Sequence, residues 1–182
     1  SSIDLVDGVP VECLEAGQVR VDGAPIIDIR RCDDGHGEVV LINDDMPMLV
    51  ESVLSAVHGR GLRVDTIEHP VLGVRRDEHG QLLSAGDRGT GDEDESWIRL
   101  QFSDSGQRDT DGDDTLRTAT TAALEQVGAI QSDRPAMLLA LGRLADDLDS
   151  ADEDPETAAL LRWLGDGNFV PLGQTGPKVN RG

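Results

Sequence analysis

Residues 39–74, VVLINDDMPMLVESVLSAVHGRGLRVDTIEHPVLGV, constrain this chain more than any other stretch. Val39, Val40, Leu41 and Ile42 are four apolar residues in a row, the pattern of a strand buried on both faces. Asn43, Asp44 and Asp45 stop that strand and offer side-chain oxygens to the free amides of a helix start. Pro47 follows at a first-turn position, where its missing N–H costs nothing. Met46, Leu49, Val50, Val53, Leu54 and Val57 then recur on one helix face, and Gly59 and Gly61 end the helix. Residues 62–67 alternate as a half-exposed strand. Strand, acidic turn, helix and strand together predict a right-handed crossover unit.

The flanks add weaker elements. Residues 1–37 read as turn-punctuated β structure, with strand candidates at 19–21 and 26–29 broken by Asp22-Gly23 and Asp34-Gly35. Beyond the crossover one long strand is expected to reach Arg76, with Pro70 suited to an edge or a bulge, and Asp77-Glu78-His79-Gly80 predicts a hairpin turn returning through Leu82 and Leu83. Residues 86–95, GDRGTGDEDE, have nothing to bury and read as a mobile loop. Ile98, Leu100 and Phe102 share one face of a further strand. After a second acidic linker at 103–114 the period becomes helical. Leu116, Ala119, Thr120, Ala123, Val127 and Ile130 form one stripe, and Ser132-Asp133-Arg134-Pro135 predicts a stop and restart. A second helix then carries Leu138, Leu141, Ala145 and Leu148, and Asp154-Pro155-Glu156 caps a third. Residues 168–172 read as a strand. The expected divisions are an N-terminal β segment (1–37), a mixed domain (38–130), a helical appendage (131–167) and the start of a further module or a tail (168–182).

Charge narrows the partners. Thirty-six acidic residues against 16 basic ones give a net charge of −20, and Lys178 is the sole lysine. Such a surface repels phosphate backbones and anionic lipid, so neither nucleic acid nor a membrane is expected as a partner. No apolar run approaches the length of a membrane span, and Ser1 opens no signal-peptide pattern; a cytoplasmic location is the expectation. Cys13 and Cys32 are too few and too far apart for a disulfide framework or a zinc site. Two reduced thiols are expected, with a Cys13–Cys32 bond left open.

Candidate chemistry is thin. His36, His58, His69 and His79 fall in a turn, a helix end, a strand and a hairpin turn, none beside a serine or cysteine in a nucleophile elbow. The Gly-x-Gly pairs at 35/37, 59/61, 89/91 and 165/167 lack the third glycine of a dinucleotide loop, having Val40, Val64, Asp94 and Val170 instead. A calcium loop starting at Asp109 would need Gly and Glu where Asp114 and Thr120 stand. No catalytic residue, metal site or bound cofactor is therefore expected in this stretch.

Four blocks carry a resemblance: NDDMPMLVESV (43–53), HPVLGVRRDEHGQLL (69–83), ESWIRLQF (95–102) and LLRWLGDGNFVPLG (160–173). In that order they resemble the N-terminal region of the large bacterial NAD-dependent glutamate dehydrogenases, over residues 39–173. The resemblance implies an α+β fold, a ferredoxin-like ACT-type sandwich with an antiparallel-dominated sheet and helices on one face, followed by a helical segment. It also implies a region that precedes the catalytic core, so that NAD and the conversion of L-glutamate to 2-oxoglutarate belong to the parent enzyme. A non-catalytic regulatory or assembly module is the preferred reading. The alternatives are an amino-acid-sensing domain and a purely structural oligomerisation domain. Its partners would be the rest of the parent polypeptide, further copies of itself and an amino-acid effector. ACT modules often carry an Asp-x-Pro-Gly turn that binds such an effector; Asn43, Asp44, Asp45, Met46, Pro47 and Met48 stand there. Asp44 and Asp45 would oppose a carboxylate, and Met48 replaces the glycine, so a self-capped helix is the simpler reading of that turn.

Overall fold

The computed structural model describes residues 4–5, 9–32, 35–104, 112–151 and 154–173. In chain order the elements are β1 (Asp4–Leu5), α1 (Val11–Ala16), β2 (Ile26–Arg31), β3 (His36–Asp44), α2 (Leu49–His58), β4 (Leu62–Glu68), β5 (Val71–Arg76), β6 (Leu82–Asp87), β7 (Glu93–Asp104), α3 (Gly112–Ala151) and α4 (Pro155–Trp163), then a wide π turn at Leu164–Asn168. They form two compact units, residues 1–125 and 126–182.

The first unit is a seven-stranded sheet centred on β7. On one side β7 pairs antiparallel with all of β3, from His36↔Ser103 to Asp44↔Glu95. On its other side β4 takes one half (Leu62↔Asp104) and β5 the other (Val71↔Ser96). Between those halves lie His69 and Pro70, and a proline has no N–H for the ladder. β3 and β4 thus run parallel with β7 between them and α2 as the crossover, a split βαβ unit. β6 returns along β5, β1 adds in parallel to β6, and β2 closes the far edge beside β3.

Period-two alternation sorts the strands into two cores. Val39, Leu41, Ile98, Leu100 and Phe102 meet Leu49, Val53 and Val57 of α2 and Leu116 and Leu124 of α3. On the opposite face Val40, Ile42, Leu72, Val74, Leu82, Ala85 and Trp97 meet Cys13 of α1, with Val9, Leu14 and Ala16 beside it. The α+β, antiparallel-dominated sandwich is as expected, but the helices are not confined to one face. Residues 11–16 were expected as β structure; they are a helix, and it packs on the sheet face opposite α2. Six residues are too few to show a helical period or to hold a helix unaided; packing on Trp97 holds this one. A Cβ at Gly17, just after α1, would come within 2.5 Å of the Trp97 ring.

Three other expectations change. Residues 86–95 are no mobile loop: β6 runs to Asp87, β7 starts at Glu93, and a Cβ on Gly73 would lie 2.6 Å from the Gly91 nitrogen. Glycine is there for close backbone approach. α3 continues through Pro135, since one lost ladder bond does not end a helix whose stripes on both sides are engaged. Residues 169–173 form no strand. The third helix begins as expected, with Asp154 accepting from the Thr157 amide at 3.0 Å and Pro155 in the first turn. Residues 105–111, with half of the Asp109–Asp114 run, and 174–182 lie outside the described residues.

In the second unit Val127, Met137 and Ala145 of α3 and Ala158 of α4 are buried. Arg162 of α4 pairs with Asp146 and Asp149 of α3. No helix among the described residues is long and apolar enough to cross a membrane.

Candidate functional site

β3 ends at Asp44 and α2 begins at Leu49, with the proposed effector turn between them. The turn is not self-capped. α2 has no side-chain cap, and its N-cap residue is Met48, at φ 69° and ψ 6°. Met48 is the only non-glycine with positive φ among the described residues, a conformation that costs a side-chain-bearing residue about 1–2 kcal/mol. It holds the geometry a glycine would adopt freely. Pro47 lies ahead of the helix rather than in its first turn.

The acidic residues expected to cap α2 are engaged elsewhere. Asp44 pairs with the Arg20 guanidinium at 2.7 Å. Asp45 accepts from the Ser96 hydroxyl at 2.7 Å and from Arg88 at 2.7 Å, while its own amide donates to the Asp94 carbonyl. Asn43 donates to the Asp44 carbonyl at 3.3 Å, and Met46 packs against the α2 core. Ser52 N donates to the Met48 carbonyl, the first bond of the helix. The earlier α2 amides thus have no side-chain partner, and the carboxylates that would oppose an anion there are each paired with an arginine.

Behind the turn lies a buried charge centre that sequence reasoning missed. Glu95 is 1 % exposed. One carboxylate oxygen accepts from Arg20 at 2.8 Å and Arg76 at 2.9 Å; the other accepts from Arg76 at 2.9 Å and the Trp97 indole at 2.9 Å. Burial alone would raise its pKa, but the hydrogen bonds from Arg76 and Arg20 outweigh it and hold the carboxyl below its usual range. Arg76 also donates to the Gly17 and Gly80 carbonyls, and Arg20 to the Ala24 carbonyl. The signal lay in β7: Glu95 and Trp97 alternate with Ser96 and Ile98, so the acid shares its face with a tryptophan.

One histidine does meet a serine. His69 Nε2 is 3.0 Å from Ser96 Oγ, whose proton goes to Asp45. Ser96 is fully buried and acts as acceptor toward the ring, so the order is imidazole to hydroxyl to carboxylate. A nucleophile needs the reverse, with the base taking the serine proton. Burial lowers the His69 pKa against the pull of Asp45 and Glu51. His36, His58 and His79 lie outside this relay. Both cysteines are free, Cys13 buried and Cys32 exposed. An open cleft of about 570 Å³ beside the β5–β6 turn has acidic walls, with Asp22, Glu78 and Asp92 among them, and Arg76 in its lining. No group of three metal-ligating side chains occurs among the described residues.

The family described as glutamate dehydrogenase, ACT1 domain, matches residues 11–118. This chain belongs to that family. The ACT1 match starts at the first residue of α1 and takes in β2 as well as the crossover unit. Three similar proteins are named NAD-specific glutamate dehydrogenase. That of Mycobacterium tuberculosis is 29% identical over 170 residues, covering 86% of this chain and 10% of the relative. That of Pseudomonas aeruginosa is 29% identical over 148 residues, 76% of this chain and 9% of the relative. That of Halomonas elongata is 26% identical over 167 residues, 87% of this chain and 10% of the relative. The ACT1-containing chain therefore spans about a tenth of the length of these relatives.

Proposed function

We propose that the chain is a non-catalytic regulatory and assembly module of a larger NAD-dependent glutamate dehydrogenase. The observation that carries this is one of proportion. The ACT1 match fills most of the chain, while the stretch aligned makes up about a tenth of each relative. On this reading the rest of the polypeptide binds NAD and oxidises glutamate to 2-oxoglutarate, in the cytoplasm. The side chains here agree with that division of labour. The Ser96–His69–Asp45 group runs the wrong way for a nucleophile, and the glycine pairs do not complete a dinucleotide loop.

A second reading, amino-acid sensing, is favoured by the start of α2. Amides without a side-chain cap, at the positive end of a helix, suit the carboxylate of a small amino acid. Asp44 and Asp45, paired with Arg20 and Arg88, do not stand against it as free charges.

The test is deletion of residues 11–118 from the parent enzyme, followed through turnover, assembly state and response to a panel of amino acids. Loss of the response or of the assembly supports the module. A deletion that changes neither overturns it, as does NADH formation from glutamate and NAD by the purified chain alone. Calorimetry of the chain with the same panel separates the readings: no heat from any amino acid removes sensing and leaves assembly.

A further inference from the structure

The second unit carries more apolar surface than its own helices bury. Met137, Ala140, Leu141 and Leu144 fall on one stripe of α3. With Phe169, Pro171 and Gly173 they line an open groove of about 240 Å³. Leu144 is 50% exposed and Phe169 46%. Asp133 and Asp147, one turn before and after the stripe, are exposed and mark its two ends. Across the described residues 126–173, acids outnumber arginines by more than two to one, and Arg162 is already held by Asp146 and Asp149.

An apolar stripe with acidic ends is complementary to an amphipathic helix with basic flanks. A second copy of this chain would set acid against acid. We propose that the groove is the docking site for such a helix, supplied by the remainder of the parent polypeptide. This rests on the reading of the chain as a module of a longer dehydrogenase, and deepens it. The comparison with the relatives points the same way. A match over 86% of this chain necessarily includes all of α3, whereas the ACT1 domain stops at residue 118. The groove-bearing part of α3 therefore lies beyond the ACT1 domain, in polypeptides about ten times longer than the stretch aligned.

The experiment compares Leu144→Glu, Phe169→Ser and the control Leu139→Glu in both the isolated chain and the parent enzyme. Leu139 is 63% exposed and sits off the stripe. In the isolated chain all three should melt within about 2 °C of wild type, because the side chains are already wet. In the parent, both groove variants should speed limited proteolysis within residues 126–173 by about tenfold or more, since cleavage tracks the open population, while Leu139→Glu should not. A parent enzyme indifferent to Leu144→Glu and Phe169→Ser sinks the docking proposal and leaves the module reading standing. A dimer of the isolated chain that Leu144→Glu dissolves would give the groove to a second copy and also overturn it. A native host in which the chain occurs as a free 19.5 kDa species sinks both.

Discussion

Glu95 receives Arg76 as a fork, Nε on one carboxylate oxygen and Nη2 on the other, both at 2.9 Å. With Arg20 and the Trp97 indole this satisfies the acid on every side. It joins β7 to the β5–β6 hairpin and to the segment after α1.

Removing that charge should be costly. Glu95→Gln leaves Arg76 without its anion and Arg20 with Asp44 alone, and should lose about 3–5 kcal/mol in urea melts at pH 7. The sign with pH follows from the lowered pKa. Glu95 contributes fully above its unfolded value near 4.5, and the contribution fades as pH falls through the lower folded value. Wild type should therefore weaken steeply below about pH 4.5, and Glu95→Gln less so. Equal stability of the two proteins at pH 7 would contradict this account.

Two glycines with similar backbones should respond differently. Gly80 has φ 77° and a Cβ there would sit 1.9 Å from the Arg20 carbonyl oxygen; Gly89 has φ 78° and open space. Gly89→Ala should cost about 1 kcal/mol of backbone strain. Gly80→Ala should cost clearly more, because the Arg20 segment must move. Thermal melts of the pair decide it, and equal losses would mean that this contact is soft.

The thiols should separate by rate. Burial drives the Cys13 pKa up to about 12, against the lowering pull of Arg99, while Cys32 lies exposed. At pH 8 a thiol reagent should modify Cys32 at least about a hundredfold faster than Cys13. Cys32→Ser should then leave only a slow phase, visible on unfolding. Two fast thiols would show that α1 opens freely.

Val53 is fully buried beneath the sheet. Val53→Asp should cost about 4 kcal/mol or more, from an unpaired charge in the core. A variant melting within about 2 °C of wild type would mean that α2 does not bury this face.

What the sequence disclosed follows the strength of its periods. β3, α2, β4 and the β5–β6 hairpin were legible because apolar spacing and turn chemistry agreed over many residues. α1 was not, since VECLEA is too short to show a period and its support comes from Trp97, far along the chain. In the turn at 43–48 the acidic residues were read with the wrong partners. Asp44 and Asp45 looked like caps because the helix is adjacent, whereas Arg20 and Arg88 reach them only in the folded sheet. Residues 86–95 misled by composition: glycine was taken for freedom where Gly73 and Gly91 serve contact.

β7 is both the middle of the sheet and the last of its strands to be synthesised. It supplies the shared edge on which β3, β4 and β5 assemble, and none of those three pairs with another before it arrives. The fully apolar Val39, Val40, Leu41 and Ile42 therefore leave the ribosome with β2 as the one strand beside them. They wait while about 50 further residues are made, roughly 2–10 s at ordinary translation speeds. During that interval the nascent chain is a sticky half-sheet. The net charge of −20 opposes contact between such half-built chains until the central strand closes the structure.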